Sequence, residues 1–445
     1  MAHSAPPFQF SLLLLVVILS LLSFSSGLPF DESPEKTGFR VSLTRVDAGK
    51  KNLTELQLVQ RAIINRVKTR LDRLSAITKN APNDDIQAPI YVGDGEFLMH
   101  LSIGTPAVPF LAIMDTGSDL IWTQCKPCSN CFNQSTPVFE PALSSSFSNV
   151  TCSSELCKAL SNSRCGNGCE YLNRYGDESS SEGFLAMETL TFGESAQRVS
   201  VPNIGFGCGV DNKGKGWNKA AGLVGLGRGP LSLVSQLGSK KFSYCLTSIG
   251  DNKSSSLLFG SLADLNLSNG AVLKTTPLIR NPILPSFYYL SLEGITVGQT
   301  LLPIPKSLFQ LGSDGGGGVI LDSGTTITSL HEDAFDVLKQ VFKAQTKLRV
   351  SNLYTRGLDV CFDLPSQDVK DIKVPKLVFH FEGLDLELPV ENYMIADTKL
   401  GVVCLAMGAT GRLSIFGNIQ QQNMLVLHDL EKETVSFIPT KCDQL

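Results

Sequence analysis

At 445 residues the chain is long enough to bury two separate cores. Only 18% of its residues are charged, the formal net charge is −4, and Gly, Ser and short apolar runs are frequent. That composition argues against disorder and helical bundles and for a β-rich soluble protein, and it gives no reason to expect a nucleic-acid partner.

Taken in order, the chain opens with a compact apolar run from Phe10 to Phe24, followed by Ser25-Ser26-Gly27. The run is too short to span a bilayer comfortably, so residues 1–27 are read as a secretory signal peptide cleaved near Gly27. No second membrane-length segment and no apolar tail after Cys442 are found, so no membrane anchor is expected. Residues 28–79 hold 11 Lys and Arg against 6 Asp and Glu, while the rest of the chain is acidic. Within them, Leu56 to Leu71 has helical spacing of apolar residues. Between a signal peptide and an acidic body, this basic amphipathic stretch reads as a propeptide rather than a membrane or nucleic-acid binder. Its charge would hold it over an acidic cleft, and protonation of partner carboxylates would weaken that hold.

The mature chain is expected from about Asn80. Alternation from Phe97 to Ile103 predicts a strand and Gly104-Thr105-Pro106 a turn. The next strand, Leu111-Ala-Ile-Met-Asp115, runs into Thr116-Gly117-Ser118. The pattern returns 207 residues on as Val319-Ile-Leu-Asp322-Ser323-Gly324-Thr325. The stretch Phe287 to Val297 echoes the strand at 97–103, and Leu223-Val-Gly225 is echoed by Ile415-Phe-Gly417. The chain therefore carries an internal duplication, with one Asp-Thr/Ser-Gly in each half. The run Gly222 to Gly229, before a predicted helix over 231–237, lacks dinucleotide-loop spacing, and Gly315 to Gly318 has no following Lys for a phosphate cradle.

Twelve cysteines, seven of them between Cys125 and Cys169, suit six disulfides in an oxidising compartment. Zinc at Cys125-x-x-Cys128-x-x-Cys131 is the weaker reading in a secreted chain. Cys208 between two glycines reads as a half-cystine rather than a nucleophile, and no His-Glu-x-x-His is present. No metal or cofactor is expected. Glycan acceptor tripeptides occur at Asn133, Asn149, Asn252 and Asn266, with Asn52 in the propeptide.

Two carboxyls a few ångströms apart can share one proton, because both cannot ionise cheaply side by side. The ionised one can then activate water while the protonated one donates to a substrate carbonyl, which is peptide hydrolysis without metal or covalent intermediate.

On the paired motifs the chain resembles the pepsin-like aspartic proteases. On Ile121-Trp-Thr-Gln-Cys125, Gly229-Pro-Leu-Ser-Leu, Ile415-Phe-Gly-Asn-Ile-Gln-Gln-Gln-Asn-Met424 and the Cys-rich insert, it is similar to their plant nepenthesin-type branch. The resemblance implies a mainly β, bilobal fold of two pseudo-symmetric lobes with a few short helices. Residues 80–268 would be the N-terminal lobe and 269–445 the C-terminal lobe. It implies a catalytic dyad of Asp115 and Asp322. Thr116 and Ser323 would cross-link the two loops, Gly117 and Gly324 would permit the tight backbone, and Ser118 and Thr325 would bind the outer carboxylate oxygens. The flap would be the hairpin around Tyr175, Gly176 and Asp177, with Tyr175 meeting Trp122. Here the flap departs from the family at Glu178 and Arg174, where Gly is usual, which puts subsite preference apart from the family's. The implied disulfides are Cys125–Cys128, Cys131–Cys208, Cys152–Cys169, Cys157–Cys165, Cys245–Cys442 and Cys361–Cys404.

The expectation is a secreted, monomeric aspartic endopeptidase made as a zymogen and active in acid, with protein or peptide substrates and its own propeptide as partners. Apoplast, digestive fluid and vacuole all suit it. The alternative is a catalytically silent protein of the same fold that binds or inhibits other proteins such as glycosidases. Such relatives tend to lose an Asp motif, and both are kept here.

Overall fold

The computed structural model describes residues 1, 38–48, 53–63, 95–166, 168–174, 179–193, 198–214, 217, 219–251, 253–263, 273–352, 357–365 and 371–445. The expected signal peptide after Met1, the propeptide boundary at 79/80, the lobe boundary at 268/269, and Asn52, Asn252 and Asn266 lie outside these residues.

Two halves repeat one strand plan. In the first, β2 (Phe97–Ile103) and β3 (Val108–Asp115) pair antiparallel across the Gly104-Thr105-Pro106 turn, with Leu98 opposite Ile113. A short strand β4 (Trp122–Gln124) follows. Next come the long antiparallel ribbon of β5 (Cys169–Arg174), β6 (Ser180–Phe192) and β7 (Val199–Lys213). Then β8 (Gly222–Gly225) returns parallel to β3 and sets Gly225 beside Asp115. In the second half β12 (Tyr288–Leu290) pairs with β13 (Val319–Leu321), and β15 (Ser414–Phe416) runs parallel to β13, with Phe416 opposite Leu321. Each Asp thus leaves the end of a buried strand that lies beside an apolar-apolar-Gly strand. Strands with inward apolar and outward polar residues suit such packed sheets.

Six antiparallel strands join the halves. In spatial order they are β1 (Phe39–Arg45), β10 (Ser255–Phe259), β9 (Lys241–Cys245), β16 (Met424–Asp429), β17 (Thr434–Pro439) and β11 (Lys274–Ile279). β1 comes from the segment expected to be a propeptide, and its alternation puts Phe39, Val41 and Leu43 in the main core. Phe39 stacks on Phe192 and Phe259 at 4.8 Å each. The strand ends at a buried ion pair, Arg45 with Asp47 at 2.9 Å.

Helix α1, residues 55–63, belongs to the same segment. A capping box starts it: Gln57 N donates to Thr54 Oγ1 at 3.2 Å and Thr54 N to Gln57 Oε1 at 3.1 Å. Leu56, Leu58, Val59 and Ile63 bury against Ile249, Ile327, Leu358, Ile395 and Ile419. Thr54 Oγ1 also donates to Asp397 Oδ2 at 2.5 Å. The described part of the segment is therefore held by sheet pairing and apolar burial. Among the described residues the other α-helices are short, namely α2 (Glu155–Lys158) and α3 (Leu233–Gln236), apart from α4 (Glu332–Gln345), whose Ala334, Phe335, Leu338 and Phe342 face the core.

Six disulfides form, and four of the implied pairings are corrected. Cys245–Cys442 and Cys361–Cys404 are present. In place of Cys125–Cys128 and Cys131–Cys208, the bonds are Cys125–Cys208 and Cys128–Cys131. The cause is the parallel pairing of β4 with β7: Thr123 lies opposite Cys208, and Cys125 N donates to Gly209 O, so Cys125 and Cys208 meet inside the sheet. In place of Cys152–Cys169 and Cys157–Cys165, the bonds are Cys152–Cys165 and Cys157–Cys169. Cys165 and Cys169 are opposed across a hairpin. Cys169 points into the core beneath α2, where Cys157 is also buried, while Cys165 is exposed and meets Cys152 at the surface. Asn133 and Asn149 are both exposed.

Candidate active site

Asp115 and Asp322 are fully buried at the ends of β3 and β13. Their surroundings match group for group. Asp115 Oδ1 accepts from Gly117 N at 3.0 Å and Oδ2 from Ser118 Oγ at 2.7 Å. Asp322 Oδ1 accepts from Gly324 N at 2.8 Å and Oδ2 from Thr325 Oγ1 at 2.6 Å. The two loops are tied reciprocally: Thr116 N donates to Ser323 Oγ at 3.2 Å, and Ser323 N to Thr116 Oγ1 at 2.9 Å.

Glycine at 324 is required by how close the carboxylates lie. A Cβ there would stand 2.4 Å from Asp115 Oδ1 and 3.2 Å from Asp322 Oδ1, so both inner oxygens crowd the same point. The parallel strands behind them are equally tight. A Cβ on Gly225 would meet the Asp119 carbonyl carbon at 2.3 Å, and one on Gly417 the Ile327 carbonyl carbon at 2.4 Å.

Several residues around the second loop had no assigned role in the sequence. Asn418 Nδ2 donates to Ser323 O at 3.0 Å. Gln420 Oε1 accepts from Thr328 N at 2.8 Å, and its amide donates to Asn392 O and Ala406 O. Gln421 Nε2 donates to Phe416 O at 2.8 Å, and its Oε1 accepts from Tyr244 OH at 2.6 Å. Burial and the nearby Asp322 charge hold the Tyr244 phenol well above its ordinary value, so it stays a neutral donor. The polar run 418–422 thus serves backbone groups that would otherwise be buried unpaired. Its signal in the sequence is four amide side chains in five residues between two apolar strands.

Trp122 is buried on the first-lobe side, edge-on to Trp217 at 4.8 Å, and Trp217 stacks on Phe132 at 5.3 Å. β5 and β6 make the expected hairpin, with Arg174 opposite Ser180. Tyr175, Gly176, Asp177 and Glu178 form its connection and lie outside the described residues, as does any meeting of Tyr175 with Trp122. Among the described residues no cluster of His, Cys, Asp and Glu could hold a metal ion, and no helix is long and apolar enough to cross a membrane.

Two family models match the chain, xylanase inhibitor N-terminal over residues 97–261 and xylanase inhibitor C-terminal over 287–439. Among curated proteins, aspartic proteinase nepenthesin-1 of Nepenthes gracilis is 53% identical over 91% of this chain and 91% of that protein. Nepenthesin-2 of the same plant is 48% identical over 91% of this chain and 90% of that protein. Among solved structures, the crystal structure of edgp aligns with a TM-score of 0.66 at 18% identity, over 92% of this chain and 96% of that one.

Proposed function

The chain belongs to the pepsin-like aspartic proteases of nepenthesin type, and on that premise we propose that Asp115 and Asp322 are the dyad with which it cleaves peptide bonds. It is an aspartic-type endopeptidase. The observation that carries the dyad is the matched pair of donor sets, one on each Asp, meeting at Gly324. With one proton between them, the ionised carboxyl takes a proton from water as the water attacks the scissile carbonyl. The protonated one donates to the carbonyl oxygen, and the resulting diol collapses as the amine leaves with a proton. Thr116, Ser323, Gly117 and Gly324 fix the loops, and Ser118 and Thr325 hold the outer oxygens so that the inner ones face the water. Substrate lies extended between the lobes under the hairpin of Tyr175, Gly176 and Asp177, with its backbone paired and its side chains alternating between pockets.

The enzyme is read as a secreted zymogen with signal peptide 1–27, propeptide 28–79 and lobes at 80–268 and 269–445. β1 and α1 support the zymogen: the segment fills the core and docks beside the second loop. A Cβ on Gly95 would meet Thr326 Cγ2 at 3.0 Å and Ala62 Cβ at 3.4 Å. Six disulfides support an oxidising destination. A silent binding protein would not need a complete donor set on both carboxylates.

The test is digestion of a denatured protein by the purified chain at about pH 3 and pH 7, with and without pepstatin. Acid proteolysis should fall by about a thousandfold or more in Asp115→Ala and in Asp322→Ala. Retained pepstatin-sensitive activity in either variant sinks the dyad, and full activity of the uncleaved precursor in acid sinks the zymogen.

A further inference from the structure

Beside the reciprocal Thr116–Ser323 bonds, a second set of contacts links the two Asp loops, and it passes through the glycine run 222–229. Leu226 N donates to Asp115 O at 2.8 Å and Gly227 N to Ser118 O at 2.7 Å. Tyr288 OH, from the other lobe, donates to Leu226 O at 2.7 Å. Tyr288 in turn lies opposite Leu321, the residue before Asp322. At the centre stands Asp119, four residues past Asp115. Its Oδ1 accepts from Gly229 N at 2.9 Å, and its Oδ2 accepts from Ser286 Oγ across the lobe junction, while Arg228 N donates to Ser286 O at 3.0 Å. The turn is built around this side chain. A Cβ on Gly227 would come within 2.4 Å of Asp119 Oδ1, and one on Gly229 within 2.1 Å of Oδ2.

We propose that Asp119 is a positioning residue for peptide hydrolysis, the keystone of a second brace that fixes the Asp115 loop against the strand carrying Asp322. The proposal rests on the dyad reading. Asp119 directly follows the Asp115 loop and bonds Gly229 N and Ser286 Oγ, and Ser286 lies two residues before Tyr288, which pairs with the strand carrying Asp322, so cutting the brace frees the separation and orientation of the two carboxyls. Small misplacements of reacting groups cost rate more than binding. The charged and titratable groups around it are Arg228, which is paired with Glu433, Arg280 on the same Glu433, the Tyr288 phenol, and Asp115. Burial raises the Asp119 carboxyl, against the pull of its bonds from Ser286 and Gly229. The brace is therefore neutral in acid, and it takes on a buried charge as pH rises.

Steady-state kinetics on a peptide substrate across the pH range, with circular dichroism and melting curves alongside, test this with Asp119→Asn, Asp119→Ala and Ser286→Ala. Asp119→Ala should lower kcat about tenfold or more with KM within about twofold. Asp119→Asn can still accept from Gly229 N and pair with Ser286, and it never ionises. It should lose less kcat than the alanine variant and carry the alkaline limb upward by about half a pH unit or more. Ser286→Ala should fall between the two, and it reads the brace if Asp119→Ala does not fold. A folded Asp119→Ala with kcat within twofold of the parent overturns the proposal. So does an Asp119→Asn profile parallel to the parent at every pH, which is what a merely structural residue would give. Loss of activity in Asp115→Ala with no change in Asp119→Ala removes the brace alone, whereas activity surviving in Asp115→Ala removes the dyad reading beneath it.

Discussion

His428 should make the folded enzyme less stable in acid, and the size of the effect follows from its place in the interlobe sheet. It sits on β16 opposite Phe242 and Val435, fully buried. Its ring stacks on Phe242 at 4.3 Å and meets Tyr288 edge-on at 4.7 Å, and neither ring nitrogen has a well-formed hydrogen bond. Burial pushes its pKa down from 6.5 to about 3, against a weak pull from the Val426 backbone and with help from Arg228. The unfolded chain takes up the proton below about pH 6.5, and the folded chain does so only near pH 3. The folded state is therefore favoured in full above pH 6.5 and loses ground as pH falls toward 3. At about 1.36 kcal/mol per unit, the loss reaches about 4 kcal/mol by pH 3.5. That is a large share of the 5–15 kcal/mol typical of a folded domain.

His428→Phe keeps a ring between Phe242 and Tyr288 and removes the titration. Guanidinium unfolding of both proteins at about pH 7 and pH 3.5, in an Asp322→Asn background to prevent self-digestion, measures the difference. The variant should be within about 3 kcal/mol of its parent at neutral pH, since phenyl is bulkier than imidazole in a packed site. Between the two pH values it should lose about 4 kcal/mol less than the parent. Equal acid losses in the two proteins would refute the reasoning, because the histidine would then be charged, or neutral, in both states alike.

Other substitutions test the same architecture. Ser323→Ala removes one half of the reciprocal loop bonds and leaves Thr116 N without its acceptor, so kcat should drop about tenfold or more with little change in melting temperature; an unchanged kcat would contradict the role given to the pair. Gly225→Ala should cost about 3 kcal/mol or more, read as poor secretion or a lowered melting point, because its methyl would stand 2.4 Å from Asp119 O. Removing Cys245–Cys442, with a sequence separation of 197, should cost about 5 kcal/mol by loop entropy. Removing Cys128–Cys131, with a separation of 3, should cost about 2 kcal/mol, and reversal of that order in denaturant midpoints would count against the pairings. Thr54→Ala takes away both the α1 cap and the bond to Asp397, and should destabilise the precursor by about 1–2 kcal/mol while sparing the processed enzyme.

The two Asp loops were legible because their chemistry is local. The ligands of each carboxylate lie two and three residues downstream, so a tripeptide motif contains most of the site. Duplication made the mainly β, two-lobed plan legible as well, since each half repeats the strand, acid and glycine turn in the same order. Disulfide partners were not legible within the Cys-rich insert. Cys165 and Cys169 are four residues apart in sequence and opposed across one hairpin, and which of them reaches the buried Cys157 is set by how the hairpin packs on the core and not by the local sequence. The braces were hidden for a related reason. Ser286 is 167 residues from Asp119 and Tyr244 is 177 from Gln421, and nothing in either stretch of sequence points to the other. The glycine run 222–229 was visible but uninterpretable, because its causes lie in a distant stretch: backbone of Trp122 and Asp119 at Gly222 and Gly225, and the Asp119 side chain at Gly227 and Gly229.

Asp119 and His428 bear on one another through Tyr288, whose hydroxyl serves the brace and whose ring edge meets the imidazole. Their linkages to pH run in opposite directions. The raised carboxyl supports the folded state below about pH 4 and withdraws that support as pH rises through its folded value. The depressed imidazole supports it above about pH 6.5 and withdraws support toward pH 3. The lobe junction is therefore under tension from one group or the other across the acid range, independently of any proton shared by Asp115 and Asp322. An activity profile measured on this enzyme would carry the titration of the junction as well as that of the reacting groups. The double variant Asp119→Asn with His428→Phe separates the two, since whatever bell remains when both junction groups are silent belongs to groups outside the junction, and on the proposed reading to Asp115 and Asp322.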